Sequence, residues 1–266
     1  MFEPVLLSAH NPSPMTGAGN NTYLLADGGT AALVDAGVGE PDHLRDLAAA
    51  LDRRRARLDL VLVTHGHRDH AAGAPAIAAA HPASAFAKHP WLPDDEQFGV
   101  EWRAIGEGDV LSAGGEPLTV LHTPGHSPDH LAFHHEAARA IFTGDLVVQG
   151  SSVMIHWSRG GDLADYLASL RRLLALAPAR LLPAHGPIID DPHAVLSAYI
   201  AHRLEREAQV VRALGAGAST VQAIAESIYH GLAPALLPAA EENVRAHLEK
   251  LKREGRVRES GGRWRP

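Results

Sequence analysis

The chain has 266 residues, of which 45% are apolar, and it carries a formal net charge of -7 at pH 7. This length allows one sizeable hydrophobic core with a small additional domain, and the absence of cysteine excludes disulfides and thiolate metal ligands. No segment approaches the roughly 20 apolar residues that span a bilayer, and the N-terminus lacks a basic stretch followed by an apolar one, so we expect a cytoplasmic protein with no membrane partner.

The first two hundred residues alternate between strand-like and helix-like segments. Residues 22–25 and 31–34 flank Asp27-Gly-Gly and predict a β-hairpin. Residues 58–63 form an apolar strand, preceded and followed by predicted helices over 44–51 and 71–80. Asp162 can cap a later helix whose apolar stripe consists of Leu163, Tyr166, Leu167, Leu170 and Leu174. The pattern predicts two mixed sheets with helices on their outer faces.

The last sixty residues differ in charge and predict a separate domain. Residues 1–202 carry 13 Lys+Arg against 23 Asp+Glu, whereas residues 203–266 carry 11 against 8. One helical face is formed by Leu204, Ala208, Val211 and Leu214. Ser219 and Gln222 have the spacing of a capping box for a second helix, and a third helix is predicted over 241–254. Residues 256–265 alternate around a Gly-Gly turn, as a two-stranded wing would. We therefore predict domains over 1–202 and 203–266.

Three histidines and an aspartate lie close together after the predicted strand 58–63. They are His65, His67, Asp69 and His70. Alternate side chains of an extended segment point to the same face, so His65 and His67 can converge on one ion. Asp69 and His70 follow the turn and can point at a second ion, and imidazole with carboxylate is a ligand set that Zn²⁺ accepts. The cluster predicts a site for two metal ions.

Three later segments each place a histidine or an aspartate just after a short apolar run. These residues are His126, Asp145 and His185, and glycines before the first two allow a sharp bend or a close backbone approach. A carboxylate can bridge two cations. The predicted arrangement has one metal on His65, His67 and His126, a second on Asp69, His70 and His185, and Asp145 on both.

The motif order HxHxDH, then His, Asp and His resembles that of the metallo-β-lactamase superfamily, with every ligand position filled. Residues 11–16, 21–25, 34–37 and 199–209 resemble one branch, the β-lactamase-like hydrolases with a C-terminal winged-helix-like domain. That branch includes single-strand-specific endoribonucleases and, more distantly, fungal polyketide thioesterases. The resemblance covers essentially the whole chain. It implies an α/β (α+β) protein, a four-layer αββα sandwich with a winged-helix-like tail, acting as a dinuclear zinc hydrolase.

The expected chemistry depends on two Zn²⁺ ions that share a solvent molecule. The ions make this water ionise near neutral pH, far below its bulk pKa of about 15.7. The metal-bridging hydroxide is the expected nucleophile, and Asp69 is the expected catalytic residue because it can bind a metal and orient the hydroxide. Iron and manganese accept the same nitrogen and oxygen ligands.

Three further polar residues are candidates for contacts behind the ligands. Asp35 ends a strand and can accept a hydrogen bond from a ligand histidine, with ordinary strand-end capping as the alternative. His130 and His202 have the same candidate role, against that of satisfied structural histidines, and His202 lies in a segment that carries the resemblance. Residues 11–16 and 149–152 are candidate pocket walls or ordinary loops.

The first expected substrate is a phosphodiester in single-stranded RNA. Endoribonuclease-like cleavage is favoured by the branch resemblance and by the basic tail, where Trp264 could stack on a base, and it is disfavoured by the acidic first domain. The alternative is hydrolysis of a small acyl substrate (a thioester, ester or lactone), which uses the same chemistry. In the alternative interpretation, the tail is a solvated surface with Trp264 packed against the third helix. Winged-helix domains also form dimers, so a homodimer is a further expectation.

Three other functions fit the sequence less well. A β-lactamase is disfavoured because the chain shows no export signal. Glyoxalase II shares the ligand set, but its helical glutathione-binding tail differs from the predicted wing. A nucleic-acid-binding regulator with an inactive hydrolase domain conflicts with the intact set of seven ligands.

Overall fold

The computed structural model describes residues 2–13, 16–150 and 152–266. Contacts divide the chain into two compact units. The first unit consists of Met1–Thr123, Asp129–Ser151 and Ala177–His193, and the second of Pro124–Pro128, Ser152–Leu176 and Ala194–Pro266. None of the described helices is long and apolar enough to cross a membrane. The boundary between residues 202 and 203 stays a prediction.

The first unit contains a six-stranded sheet in sequential order. Its strands are β1 (Val5–Ser8), β2 (Asn21–Asp27), β3 (Thr30–Val34), β4 (Arg57–Leu62), β5 (Ala85–Lys88) and β6 (Trp102–Ala104). Strands β1 to β3 are antiparallel, and β3 to β6 run parallel. The predicted hairpin is confirmed as β2 and β3, whose turn uses the positive φ angles of Gly28 and Gly29.

A five-stranded sheet completes the β-structure of the first unit. Its strands are β7 (Val110–Ala113), β8 (Glu116–His122), β9 (Leu131–His135), β10 (Ala140–Gly144) and β11 (Arg180–Pro183), in the order β11-β10-β9-β8-β7. Only the β10–β11 pair is parallel. One core joins the two sheets, because side chains such as Tyr23, Leu62, Phe133 and Phe142 belong to the same buried cluster.

Helices cover the other face of the six-stranded sheet. They are α1 (Pro41–Arg54), α2 (Arg68–Ala71) and α3 (Ala74–Ala80), and a further short helix, α4 (Leu92–Asp95), lies between β5 and β6 in the chain. Leu47 and Ile77 pack with Leu33 and Val61 of the sheet in a second core. The helix predicted over 71–80 is confirmed for residues 74–80, which form α3, whereas Ala71 belongs to α2 and residues 72–73 separate the two helices. A side chain at Gly73 would meet the carbonyl oxygen of Ala36 at 2.1 Å, so this close contact requires glycine.

The second unit contains the remaining helices and a small hairpin. Its elements are α5 (Leu163–Ala175), α6 (Pro192–Gly215, whose first two residues belong to the first unit), α7 (Val221–Ile228), α8 (Leu237–Arg253), β12 (Arg258–Ser260) and β13 (Arg263–Arg265). The wing is confirmed, with Arg258 opposite Arg265. The end of α6, α7, α8 and the wing share one apolar core and form a winged-helix domain.

Local predictions in the second unit have mixed outcomes. The Asp162 cap is confirmed, since its carboxylate accepts from the backbone N–H of Ala164 and Asp165 at 2.8 and 3.0 Å. The α7 cap is Thr220 and not Ser219, because the Thr220 hydroxyl accepts from the Ala223 N–H. The buried apolar stripe of α5 ends at Leu173 and not at the predicted Leu174, which is half-buried.

The apolar face predicted for α6 is confirmed only at Leu214, which is buried. Leu204 and Val211 are exposed by 42% and 36%, and Ala208 is half-buried. Helix α6 runs without interruption from Pro192, so the side of the helix that is buried is already set by its first turns. The buried stripe consists of Leu196, Tyr199, Arg203, Glu207, Val210 and Leu214. Two charged residues in this stripe hid the true periodicity from the sequence.

Candidate metal centre

The first ligand loop, residues 65–70, leaves the end of β4 in the middle of the parallel part of the sheet. His65 and His70 are fully buried, and Nε2 of His65 lies 2.9 Å from Nδ1 of His67. The alternation expected from an extended segment therefore brings these two rings together. Helix α2 begins at Arg68 and carries Asp69 and His70.

Side chains from three loops of the first unit meet in two groups. The ligand atoms of each group lie within 4.8 Å of one another, and the groups are His65, His70 and Asp145, and Asp69, His70 and His185. Nε2 of His70 lies 3.4 Å from Oδ1 of Asp145, and Nε2 of His185 lies 3.3 Å from the same oxygen. Each group offers the imidazole nitrogen and carboxylate oxygen that zinc, iron and manganese bind.

The electrostatics of the two carboxylates favour a cation between them. Burial by itself raises the pKa of Asp145, but the neighbouring His70 and His185 hold that pKa well below its usual range. Burial likewise opposes ionisation of Asp69, whose pKa is lowered by the same two imidazoles. For His185, burial acts to lower the pKa, yet hydrogen bonds to Asp145 and Asp69 raise it to about 9. Both carboxylates are therefore anionic at neutral pH, as metal ligands must be.

Asp35 lies behind His70. Its Oδ2 is 2.9 Å from Nδ1 of His70, and its Oδ1 accepts from the N–H and the hydroxyl of Thr64 at 2.8 and 2.9 Å. A carboxylate can only accept, so Nδ1 of His70 carries a proton, and Nε2, on the side of Asp69 and Asp145, is the atom that can bind a metal. This is the arrangement by which a carboxylate behind a histidine orients it toward a metal.

The other two candidates behind the ligands lie in different surroundings. Nε2 of His130 accepts from the backbone N–H of Asp145 at 3.1 Å, so its Nδ1 donates to the Thr123 hydroxyl at 2.9 Å. His130 thus holds the backbone of Asp145. His202 lies on the exposed side of α6 in the second unit, and its role stays a prediction. Positions 14, 15 and 151 of the two candidate pocket walls lie outside the described residues.

Sequence reasoning missed three residues beside the centre. Asn20 donates from Nδ2 to Oδ2 of Asp69 at 3.0 Å. Asp129 accepts from the Gly66 N–H at 2.8 Å, inside the first ligand loop, and pairs with Lys88 at 3.1 Å. Asp129 and Lys88 are both 0% exposed. The position of Asp129 next to His130 was a usable signal, whereas nothing in the sequence distinguishes Asn20 or Lys88.

His126 belongs to the second unit, in the second ligand loop, residues 124–128. Its Nδ1 lies 2.9 Å from the carbonyl oxygen of Met154. The carbonyl can only accept, so Nδ1 carries the proton and Nε2 is the atom that can bind a metal.

Comparisons with known proteins give the family of the chain. The profile of the metallo-beta-lactamase superfamily matches residues 15–185, and that of the beta-lactamase associated winged helix domain matches residues 220–264. The beta-lactamase-like protein 2 homolog of Drosophila melanogaster is 31% identical over 267 residues, covering 94% of this chain and 88% of the relative. The atrochrysone carboxyl ACP thioesterase of Aspergillus chevalieri is 34% identical, covering 86% and 74%.

Solved structures share the fold. A metallo-beta-lactamase family protein from Thermus thermophilus has a TM-score of 0.82 at 23% identity and covers 98% of both chains. The protein TTHA1623, solved in a di-iron-bound form, has a TM-score of 0.59 at 30% identity and covers 74% of this chain and 98% of its own.

Proposed function

This chain belongs to the metallo-beta-lactamase superfamily, and from that premise we propose that it is a dinuclear-metal hydrolase that cleaves an acyl thioester. The observation that carries the metal centre is the sharing of His70 by two groups of His and Asp ligands. One metal would bind His65, His67 and His126, the other Asp69, His70 and His185, and Asp145 would contact both.

The donor set fits two divalent cations. All seven proposed ligands offer nitrogen or oxygen, and Asp69 and Asp145 are held ionised. We propose Zn²⁺ as the metal, and iron or manganese would bind the same atoms. When bound, the cations would lower the pKa of water and stabilise the negative charge that develops on the substrate oxygen.

The side chains around the metals would orient the attacking water and hold it in place. Asp69 would accept a hydrogen bond from that water, and Asn20 fixes the Asp69 carboxylate through its 3.0 Å contact. Asn20 is itself held by Asn11, whose Oδ1 accepts from the Asn20 N–H and whose Nδ2 donates to the Asn20 side-chain oxygen, both at 2.8 Å. A thiol with a pKa of about 8.5 departs as thiolate, so a thioester needs no additional acid.

The charge of the first unit, and the ion pairs and packing of the second unit, favour an acyl substrate over RNA. The first unit has 10 Lys+Arg against 21 Asp+Glu, so it repels polyanions. Most cations of the basic tail are neutralised within the protein, as Lys250 and Arg256 are by the two carboxylates of Glu207 and Glu254. Trp264 is 2% exposed and packs in the winged-helix core, which leaves almost none of its ring free to stack on a base. The name of the fungal relative gives a second, independent reason to choose a thioester.

Single-stranded RNA is the second candidate. Arg258 and Arg265 are exposed on the wing, and neither guanidinium forms an ion pair within the part of the chain that the structure describes. These two cations could contact phosphates. A homodimer and a cytoplasmic location stay predictions.

Three substrates separate the candidates. Metal-loaded protein would be incubated with an acyl thioester, a lactone and labelled single-stranded RNA, beside His70→Ala and a control at an exposed histidine, His230→Ala. We expect thioester turnover in the parent and in His230→Ala, and only background turnover in His70→Ala. RNA cleavage that His70→Ala abolishes, without acyl turnover, would replace the thioester proposal with the nuclease.

A further inference from the structure

The second ligand loop is attached to residues that lie 28 or more positions further along the chain. The Gly125 carbonyl accepts from the Asp162 N–H at 2.8 Å, and the Pro124 carbonyl accepts from the Ser169 hydroxyl at 2.8 Å. His126 donates to the Met154 carbonyl at 2.9 Å. The loop therefore depends on α5 and on the segment 152–157 for its position.

Close packing strengthens this attachment. A side chain at Gly125 would meet the backbone nitrogen of Tyr166 at 2.2 Å, and Gly125 has a φ of +131°. The loop therefore lies directly on the first turn of α5. No side chain other than hydrogen fits between them.

The supports of the loop are attached in turn to the winged-helix domain. Arg203 is 3% exposed and donates to the Val153 carbonyl, the residue before Met154. It also donates to the side-chain oxygen of Asn243 in α8 at 3.3 Å, and its guanidinium lies 5.3 Å from the Tyr166 ring centroid. One buried cation thus joins α6, α8, α5 and the segment that holds His126.

Three more contacts connect α8 with the same region. Arg253 pairs with Asp162, the cap of α5. Glu242 accepts from the Ser158 N–H at 3.0 Å, and the guanidinium of Arg245 lies 4.6 Å from the Trp157 ring. All three residues of α8 lie within the part of the chain that matches the winged helix profile.

We propose that Arg203, supported by α8, is a positioning residue for His126, and that the winged-helix domain serves to hold this ligand. The proposal rests on the proposed role of His126 as a metal ligand. Arg203 fixes the peptide before Met154, and the Met154 carbonyl fixes both the tautomer and the direction of the imidazole. A metal ligand must be held to within about 0.5 Å of its productive position. Removing a group that hydrogen-bonds to a ligand commonly lowers metal affinity by about 10–100-fold.

The burial of Arg203 supports a positioning role over simple packing. A buried guanidinium on neutral partners is costly, because two carbonyl-type oxygens and a ring replace its water only in part. A leucine would fill an apolar stripe on α6 without that cost. The gain specific to arginine is a rigid fork of donors that fixes two acceptors at once.

The test measures metal affinity at each site, with activity as a separate readout. The metal-free full chain would be titrated with Zn²⁺ against a chromophoric chelator, and with Co²⁺ to follow its ligand-field bands. Arg203→Met is compared with His126→Ala and with Arg206→Met, a control on the same helix whose guanidinium contacts Gln209 and the Tyr229 ring. We expect His126→Ala to lose one ion. Arg203→Met should weaken that same ion about 10–100-fold and change its Co²⁺ bands, and Arg206→Met should resemble the parent.

Two further variants keep the proposal open to refutation. Arg203→Lys retains one donor and should recover part of the affinity. Asn243→Ala removes one of the two anchors and should weaken the same ion less than Arg203→Met does, which gives a reading even if Arg203→Met does not fold. Unchanged affinity for both ions in folded Arg203→Met, or in Asn243→Ala if the former is unfolded, would overturn the positioning role. If His126→Ala itself binds two ions with parent affinity, the proposed ligand set is what fails.

Discussion

The two ligand loops are held in place by different physical means. The first ligand loop is fixed by buried carboxylates of its own unit, since Asp35 accepts from His70 and Asp129 accepts from Gly66. The second ligand loop is fixed by backbone carbonyls and by hydrogen bonds from residues 154–169. The first arrangement depends on charge balance in a dry core, and the second on long-range packing. Substitutions behind the two loops should therefore change different observables.

The largest expected effect is on the stability of the first unit. Asp129→Ala removes a carboxylate from Lys88, which is 0% exposed and keeps Asp95 as its other partner. The buried ammonium then has one carboxylate beside it in place of two, and the buried Gly66 N–H loses its acceptor, so we expect a loss of about 3 kcal/mol in the free energy of unfolding, measured by urea denaturation.

The matched control removes all three charges. Lys88→Met with Asp129→Leu and Asp95→Asn should recover most of the lost stability, because neutral replacements of a complete buried ion network are often tolerated. A triple variant as unstable as Asp129→Ala would contradict the ion-pair explanation and assign the loss to the missing acceptor for the Gly66 N–H.

The next effect is on metal affinity at the first ligand loop. Asp35→Asn replaces the acceptor for the Nδ1 proton of His70 with a group that can turn its own donors toward the ring. We expect Zn²⁺ affinity to fall by about 10–100-fold in chelator competition. Asp190→Asn, at an exposed carboxylate paired with Arg180, should bind like the parent. Equal affinity in both variants would show that Asp35 is an ordinary cap.

The second unit should respond to pH through His247. This ring is 1% exposed, its two nitrogens have no hydrogen-bond partner among the described residues, and burial followed by the charge of Arg203 lowers its pKa to about 3. The unfolded chain, with a pKa of 6.5, binds the proton more readily between pH 6.5 and 3. Stability due to His247 is therefore complete above pH 6.5 and is lost as the pH falls toward 3.

A leucine at this position should remove that dependence. Each pH unit below 6.5 lowers the contribution of His247 to the free energy of unfolding by about 1.4 kcal/mol, so at pH 5 the parent has lost about 2 kcal/mol through this group. Denaturation of the parent and of His247→Leu at pH 7.5 and at pH 5 measures the change. A stability difference between the two proteins that is the same at both pH values would show that His247 is not held neutral.

The elements that the sequence predicted correctly are those whose structure depends on residues close together in the chain. The hairpin of β2 and β3, the Asp162 cap and the wing all depend on short-range turn chemistry, and each is found where it was expected. The first ligand loop was also visible, because its ligands alternate directly after a strand. Local geometry is sufficient in each of these cases.

What the sequence did not predict depends on partners far along the chain. Arg203 can occupy an inner position of α6 because Val153 and Asn243 accept its hydrogen bonds. Glu207 can do so because Lys250 balances its charge. A periodicity argument treats charged residues as outward, so it shifted the inner face to Leu204 and Val211. Lys88 and Asp129 were missed for the same reason, since each is buried beside an opposite charge that is distant in sequence.

The smallest expected effect is at the wing, where charge is neither buried nor needed for packing. Arg258→Ala with Arg265→Ala should change the free energy of unfolding by less than about 0.5 kcal/mol, because both side chains are exposed. Arg256→Ala is the matched comparison in the same segment and should cost about 1 kcal/mol, since it leaves Glu207 with Lys250 alone. Thioester turnover should be unchanged in the double variant. If the double variant instead loses affinity for single-stranded RNA with a shallower salt dependence, the wing contacts phosphates, and the second unit has a binding role in addition to holding His126.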